Sequence, residues 1–251
     1  MTVSLLVAHP GHELRVHGWV ERERPLVYVL TDGSGPREEA RTESTRRLLA
    51  AAGARPGPVF GRVPDVELYR ALLRGDHRPF VELFEEIADS VAREGVSVLA
   101  ADAAEGFNPA HDVARLLANA VIGRAARGGL PVENIAFPLD AAPGAGAGDV
   151  AVRLELDDEA FARKLAAARA YAAMEEEVDR ALAGHGPEAF RIETLRRPDP
   201  GFDLEAIHGP MPSYERFGER RVADGVYPEV VRFRAHVQPL AARLEALVAR
   251  G

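Results

Sequence analysis

The sequence predicts an α/β fold, with a mostly parallel sheet covered by helices on both faces. Short apolar runs at residues 3–8, 26–31 and 96–101 have the length and composition of buried strands. Segments of helical periodicity separate them, and strand–helix alternation of this kind is the signature of a parallel sheet. With 251 residues, 47% of them hydrophobic, the chain is long enough for a sizeable core.

The elements follow in order. After the first strand a short helix is expected over residues 11–22, ended by Pro25. Leu26-Val27-Tyr28-Val29-Leu30-Thr31 is the second strand. Asp32-Gly33-Ser34-Gly35-Pro36 is rich in residues that tolerate turn geometry, and helical spacing runs from Arg37 to Ala52, stopped by Gly53. A short strand is expected at Val59-Phe60. Helices follow at 65–73, with Asp65 as candidate N-cap, and at 79–93. The strand at 96–101 leads through a polar loop, 102–109, into an amphipathic helix over 111–127. That helix points Val113, Leu116, Leu117, Ala120 and Val121 inward.

Beyond this the pattern loosens. Strands are expected at 132–139 and 150–156, around a flexible Ala/Gly/Pro loop at 141–148, and one helix at 158–183. Residues 196–227 are rich in proline and glycine with little periodicity, which suits a segment that wraps the core or covers a pocket. A final helix over 227–249 is expected to be interrupted at Pro239. No repeat and no clean linker is visible. The economical reading is one domain over residues 1–251, with a core of about 1–185 and a covering segment of about 186–251.

Composition excludes several functions. The chain has no cysteine, so thiolate nucleophiles, disulfides and cysteine zinc sites are ruled out and any metal falls to His, Asp or Glu. A net charge of −8 argues against a nucleic-acid partner. No apolar stretch approaches the ~20 residues a membrane span needs. The N-terminus lacks the basic and apolar blocks of a secretory signal, so a cytoplasmic location is expected. Homo-oligomerisation is left open.

The residues that could carry chemistry gather at strand ends. His9-Pro10-Gly11-His12-Glu13 follows the first strand, and His111 follows the strand at 96–101, within Glu105-Gly106-Phe107-Asn108-Pro109-Ala110-His111-Asp112. Ligands in α/β folds sit at the carboxyl ends of strands, and adjacent strands are only ~5 Å apart, so the three histidines can converge. Three imidazoles with one open position form a catalytic zinc geometry, with Glu13, Glu105 and Asp112 available to orient ligands or take a proton. Each histidine taken singly is more often structural; it is the three together that point to a metal.

In order and spacing these motifs resemble the LmbE-like (PIG-L) N-acetylglucosaminyl deacetylase superfamily. The family's Ala-His-Pro-Asp-Asp-Glu is matched by Ala8-His9-Pro10-Gly11-His12-Glu13, and its Thr-Asp/Asn-Gly turn by Thr31-Asp32-Gly33. Its Arg-x-x-Glu-like helix is approximated by Arg41-Thr42-Glu43, its His-Pro-Asp-His by Asn108-Pro109-Ala110-His111, and its Lys-x-x-Ala helix by residues 164–171. The likeness covers roughly residues 1–175. It implies a Rossmann-like three-layer αβα sandwich with a C-terminal elaboration. It also implies a metal-dependent hydrolase that uses Zn2+, or another divalent transition metal, to remove N-acetyl groups from a small-molecule amino sugar or glycoconjugate.

Carried over position by position, the resemblance implies His9, His12 and His111 as metal ligands, a histidine replacing the family's aspartate at residue 12. The family's general-base aspartate is matched by Gly11, which cannot take a proton, and the first histidine of the later motif by Asn108, which can still donate to an oxyanion. Glu105 is the preferred substitute base and Glu13 the next. Arg41 is a candidate to hold a substrate group. Tyr214, in the aromatic and charged segment 212–218, is a candidate sugar contact in a segment that could cover the pocket. The departures also suit a relative that has lost turnover and serves as a carbohydrate-binding or assembly module, or a hydrolase of another amide or an ester. Gly144-Ala145-Gly146-Ala147-Gly148 mimics a dinucleotide fingerprint, but it precedes a strand and no helix follows.

Overall fold

The computed structural model describes residues 2–35, 40–146, 148–198 and 203–250. Among these, seven strands form one sheet: β1 (Thr2–Val7), β2 (Leu26–Thr31), β3 (Arg55–Val63), β4 (Val96–Asp102), β5 (Glu133–Phe137), β6 (Val150–Glu155) and β7 (Ile192–Arg196). Their order across the sheet is β3-β2-β1-β4-β5-β7-β6. The first five are parallel, and β7 runs antiparallel to both β5 and β6. From β1 the chain builds outward to β2 and β3, then crosses to β4 on the other side. The β1/β4 boundary is therefore the topological switch point, where such sheets open a crevice at their carboxyl ends.

Helices cover both faces: α1 (His17–Glu23), α2 (Thr42–Ala52), α3 (Asp65–Leu73), α4 (Arg78–Glu94), α5 (Pro109–Arg127), α6 (Asp158–Ala170), α7 (Glu175–His185), α8 (Leu204–His208), α9 (Ser213–Ala223) and α10 (Gln238–Arg250). Alternation along the central strands feeds two cores. Leu6, Tyr28, Leu30 and Leu99 pack with Phe84 and Ile87 of α4, Val113 and Leu117 of α5, and Leu240 and Leu244 of α10. Leu5, Val7, Val27, Val29 and Ala100 pack with Trp19, Leu48, Leu49 and Tyr171 on the other face. This is the expected three-layer sandwich, and all five inward residues expected in α5 are buried.

The differences from expectation have local causes. Residues 12–16 form a 3-10 segment before α1, so the first helix is split. β3 extends well beyond Val59-Phe60 although it contains Pro56 and Pro58, because it is the edge strand and proline's missing N–H costs no ladder bond there. The helix expected at 158–183 breaks at Tyr171. The chain turns there to place the ring in the core, with its hydroxyl 2.9 Å from Thr45 Oγ1 and donating to Arg41 O at 3.1 Å. β7 has no counterpart among the expected strands. It lies within the expected covering segment and joins β5 to β6. The stretch read as aperiodic contains α8 and α9. The final helix starts at Phe233 instead of 227, and a π-helical turn, Phe233–Val237, runs directly into α10 just before Pro239. The expected helical residues 37–39 lie outside the described residues, and α2 begins at Thr42.

Candidate active site

The three histidines meet at the switch point. His9 and His12 leave the end of β1, and His111 stands in the first turn of α5, just after β4. Their ring centres are 5.2 Å (His9–His12), 5.6 Å (His9–His111) and 4.7 Å (His12–His111) apart. A tetrahedral ion with metal–nitrogen bonds of about 2.0–2.1 Å holds imidazole centres about 5 Å apart, so residue types and ring spacing fit a metal. The nitrogens are not yet gathered: among the described residues, no group of three or more His, Asp or Glu side chains is disposed to hold an ion as it stands.

Two of the rings are oriented by buried carboxylates. His9 Nδ1 lies 2.7 Å from Thr31 Oγ1 and 3.0 Å from Asp65 Oδ1. His12 Nδ1 lies 2.8 Å from Asp102 Oδ2. A carboxylate on the far nitrogen fixes the tautomer, makes the imidazole more basic and frees Nε2 for a ligand, as around histidines that bind metals. Burial alone would raise Asp65, but hydrogen bonds from His9, Thr31 and the Gly35 N–H, with electrostatic attraction to the His9 ring, hold it well below the usual carboxylate range. Asp102 is wholly buried at the end of β4, and its Oδ2 also accepts from Ala8 N–H at 2.7 Å. Beneath it, the buried Arg115 donates to Asp102 O, Asn134 Oδ1 and Ile135 O. Burial pushes this guanidinium down to about 10, still cationic at neutral pH.

His111 differs. Its Nδ1 is buried and has no partner. Burial, then the neighbouring His12 and His9, pushes it well below the usual histidine range, so the ring is neutral at pH 7, the form that binds metal. Its place is set by the backbone of α5, which Asn108 caps: Asn108 Oδ1 accepts from Ala110 N–H and from Tyr69 hydroxyl, both at 2.8 Å. Those bonds assign the amide, and its Nδ2 remains as a donor.

The remaining sequence candidates are placed variously. Glu13 is fully buried, accepts from Gly11 N–H at 2.8 Å and Thr45 hydroxyl at 2.7 Å, and is pushed up to about 7 by burial. Glu105 accepts three backbone N–H groups, from Leu139, Asp140 and Ala141 at 2.7–2.9 Å, so both its oxygens hold the loop after β5. Arg41 lies beside the Pro10/Gly33 corner, partly exposed, 3.3 Å from Glu177 Oε1. Tyr214 is buried behind Gly106, its N–H bonded to Gly106 O at 3.1 Å, because the start of α9 packs under that loop instead of on its outer side. Asp65 is not the N-cap of α3. Pro64 holds that position, and the Asp65 carboxylate turns to His9 and Gly35 N–H.

Gly11 is more than a missing carboxylate. It sits at φ +103°, and a Cβ built on it would collide with Met174 Sδ. The volume that a side chain at residue 11 would take is filled by Met174, from the turn between α6 and α7. The short segment that carries His12 is clamped from the same side. Lys164 donates to Arg15 O at 2.9 Å and to Glu193 Oε1 at 2.7 Å, while Glu193 accepts Gly18 and Trp19 N–H at 2.9 and 2.7 Å.

Asp65, Asp102 and Met174 are site residues that the sequence does not single out. Only Asp102 carries a signal, as an acid immediately after an expected strand.

Fold and site together define an α/β sandwich with a histidine cluster at its switch point. Solved structures at 14–17% identity share this fold. One is a deacetylase in the biosynthesis pathway of teicoplanin (14% identity, 80% of this chain and all of that one, TM-score 0.54). Another is the zinc inhibited form of teicoplanin deacetylase Orf2 (14%, 79% and 100%, TM-score 0.51). A third is the conserved protein TT1542 from Thermus thermophilus (17%, 81% and 97%, TM-score 0.50). At these identities the likeness is one of fold. No protein-family model matches the chain, and no curated protein matches its sequence. None of its described helices is long and apolar enough to cross a membrane.

Proposed function

We propose that this chain is a metal-dependent hydrolase that removes an N-acyl group, acetyl in the simplest case, from an amino sugar or glycoconjugate. The observation that carries this reading is the convergence of His9, His12 and His111 at the switch point, two of them backed by buried carboxylates through Nδ1. The shared fold with structures described as deacetylases, one of them zinc inhibited, supports the reaction class.

His9, His12 and His111 would hold the ion, zinc or another divalent transition metal. When bound, it acidifies a water to near-neutral pKa and polarises the acyl carbonyl. Asp65 and Asp102 keep His9 and His12 in the tautomer that offers Nε2. Asn108 presents Nδ2 as the oxyanion donor, because its oxygen is held by Ala110 N–H and Tyr69. Arg41, at the edge of the crevice, is the candidate for a substrate hydroxyl or anionic group. In this reading Glu13 braces the His9–His12 corner and Glu105 the loop after β5, since hydrogen bonds occupy both oxygens of each.

One observation favours a second reading. Met174 fills the space at Gly11 where the resemblance implies a base, which suits a relative that binds carbohydrate without turning it over. A panel of N-acylated amino sugars, assayed with Zn2+, Co2+ or Mn2+, separates the two. Amine release that falls ~10²–10³-fold in Asn108→Ala supports the hydrolase. Saturable sugar binding with no release under any metal supports the binding module.

A further inference from the structure

His111 lacks the carboxylate that His9 and His12 each have, yet its neighbour Asp112 is the most isolated acid of the site. The Asp112 side chain is fully buried. Its Oδ1 accepts from Gly106 N–H at 3.3 Å, and its Oδ2 has no hydrogen-bond partner. His208 Nε2 lies 3.9 Å from that bare oxygen and, like the hydroxyl of neighbouring Tyr214, is buried without a partner. His208 Nδ1 lies 2.9 Å from Gly209 O. A carbonyl only accepts, so Nδ1 carries a proton and Nε2 faces the carboxylate.

We propose that His208 is a positioning residue for His111. Too far apart for a direct hydrogen bond at 3.9 Å, His208 Nε2 and Asp112 Oδ2 pair across a single water that donates to both, and this fixes the first turn of α5 from the C-terminal segment. The inference rests on the metal reading above and deepens it. Two further contacts converge on the loop that leads into that turn. Ser213 hydroxyl donates to Gly106 O at 2.7 Å, and Tyr214 N–H donates to the same oxygen at 3.1 Å. Gly106 has φ +63°, and a Cβ there would collide with the His208 side chain, so the close approach of the two segments needs glycine. The His208 ring is held edge-on against Phe233, with ring centres 4.8 Å apart, so its polar edge is aimed by packing. Two buried polar atoms of this kind are costly unless they serve each other.

The test uses full-length protein and Co2+ as the probe. His208→Phe keeps the aromatic packing and deletes Nε2. Wild type is expected to bind Co2+ with a visible d–d spectrum. The Phe variant should lose ~10-fold in affinity, with an altered spectrum, as outer-sphere changes do. His208→Gln, whose side-chain carbonyl can still accept from that water, should recover most of the loss. In the metal-free proteins, the His111 ring resonances should shift in the Phe variant and return in the Gln variant. If His208→Phe does not fold, His208→Asn, too short to reach that water, is measured the same way. Unchanged Co2+ affinity, spectrum and His111 resonances would overturn the inference. Wild type that binds no Co2+ would overturn the metal reading instead, and the His111 resonances would still decide the positioning role.

Discussion

The two sides of the histidine cluster are built differently. On the β1 side, His9 and His12 are oriented by hydrogen bonds to Thr31, Asp65 and Asp102, groups fixed on β2, α3 and β4. On the α5 side, His111 has no hydrogen-bonded orienter at Nδ1 and takes its place from a capped helix and from the C-terminal segment packed behind it. The first side is held by charge inside the core, and the second by backbone geometry. A site built this way should lose the two halves by different routes.

Asp102→Ala should be the most damaging change. It strands Ala8 N–H and His12 Nδ1 and removes the negative charge beside the buried Arg115. A cost of about 3–5 kcal/mol in denaturant unfolding is expected, with ~10–100-fold weaker metal binding. Equal stability with intact metal affinity would break the contrast.

Gly11→Asp comes next. It restores a carboxylate where the resemblance implies one, but it must displace Met174 and accept φ +103°. A loss of about 2–3 kcal/mol is expected. Met174→Ala in the same chain should recover part of it, and the double variant is the one to assay for gained turnover. If Gly11→Asp alone proves neutral, the packing account of this corner is wrong.

Asn108→Ala acts on the other half. Loss of the N-cap and of the Tyr69 partner should cost about 1–2 kcal/mol. Metal affinity should fall less than in Asp102→Ala, because Asn108 touches no ligand nitrogen.

The smallest effect is a pH dependence. His111 is pushed down in the folded state, by burial first, so the unfolded chain binds its proton more readily. The metal-free protein should therefore keep this contribution above about pH 6.5 and lose it as pH falls below that value. Urea titrations of metal-free wild type and His111→Phe at pH 7.5 and 5.5 read it: the wild type should lose more stability across that interval.

Much of the scaffold was legible in the sequence because buried parallel strands are short apolar runs, and β1, β2 and β4 are such runs. The three histidines were legible because they lie at the ends of those strands. Their supports were not. Asp65 reads locally as an N-cap, and only the turn from the end of β3 into α3, with Pro64 in the cap position, brings its carboxylate to His9. Met174 lies in a helical-looking, alanine-rich stretch, and the break that brings it to Gly11 follows from burying Tyr171, a tertiary contact with no local signal. β7 is short, and only its partners β5 and β6 define it. Glu105 looked like a free acid in a loop because the three N–H groups it accepts lie after β5, distant in sequence.

The central claim is that the three histidines form one metal centre. Metal analysis of tag-free protein, paired with Zn2+ titration calorimetry of wild type and His111→Ala, tests it most directly. The account predicts about one ion per wild-type chain, as three imidazoles with an open position should hold, and at least a ~100-fold affinity loss in the variant. A wild-type chain that takes up no metal, or a His111→Ala chain that binds it equally well, would contradict it.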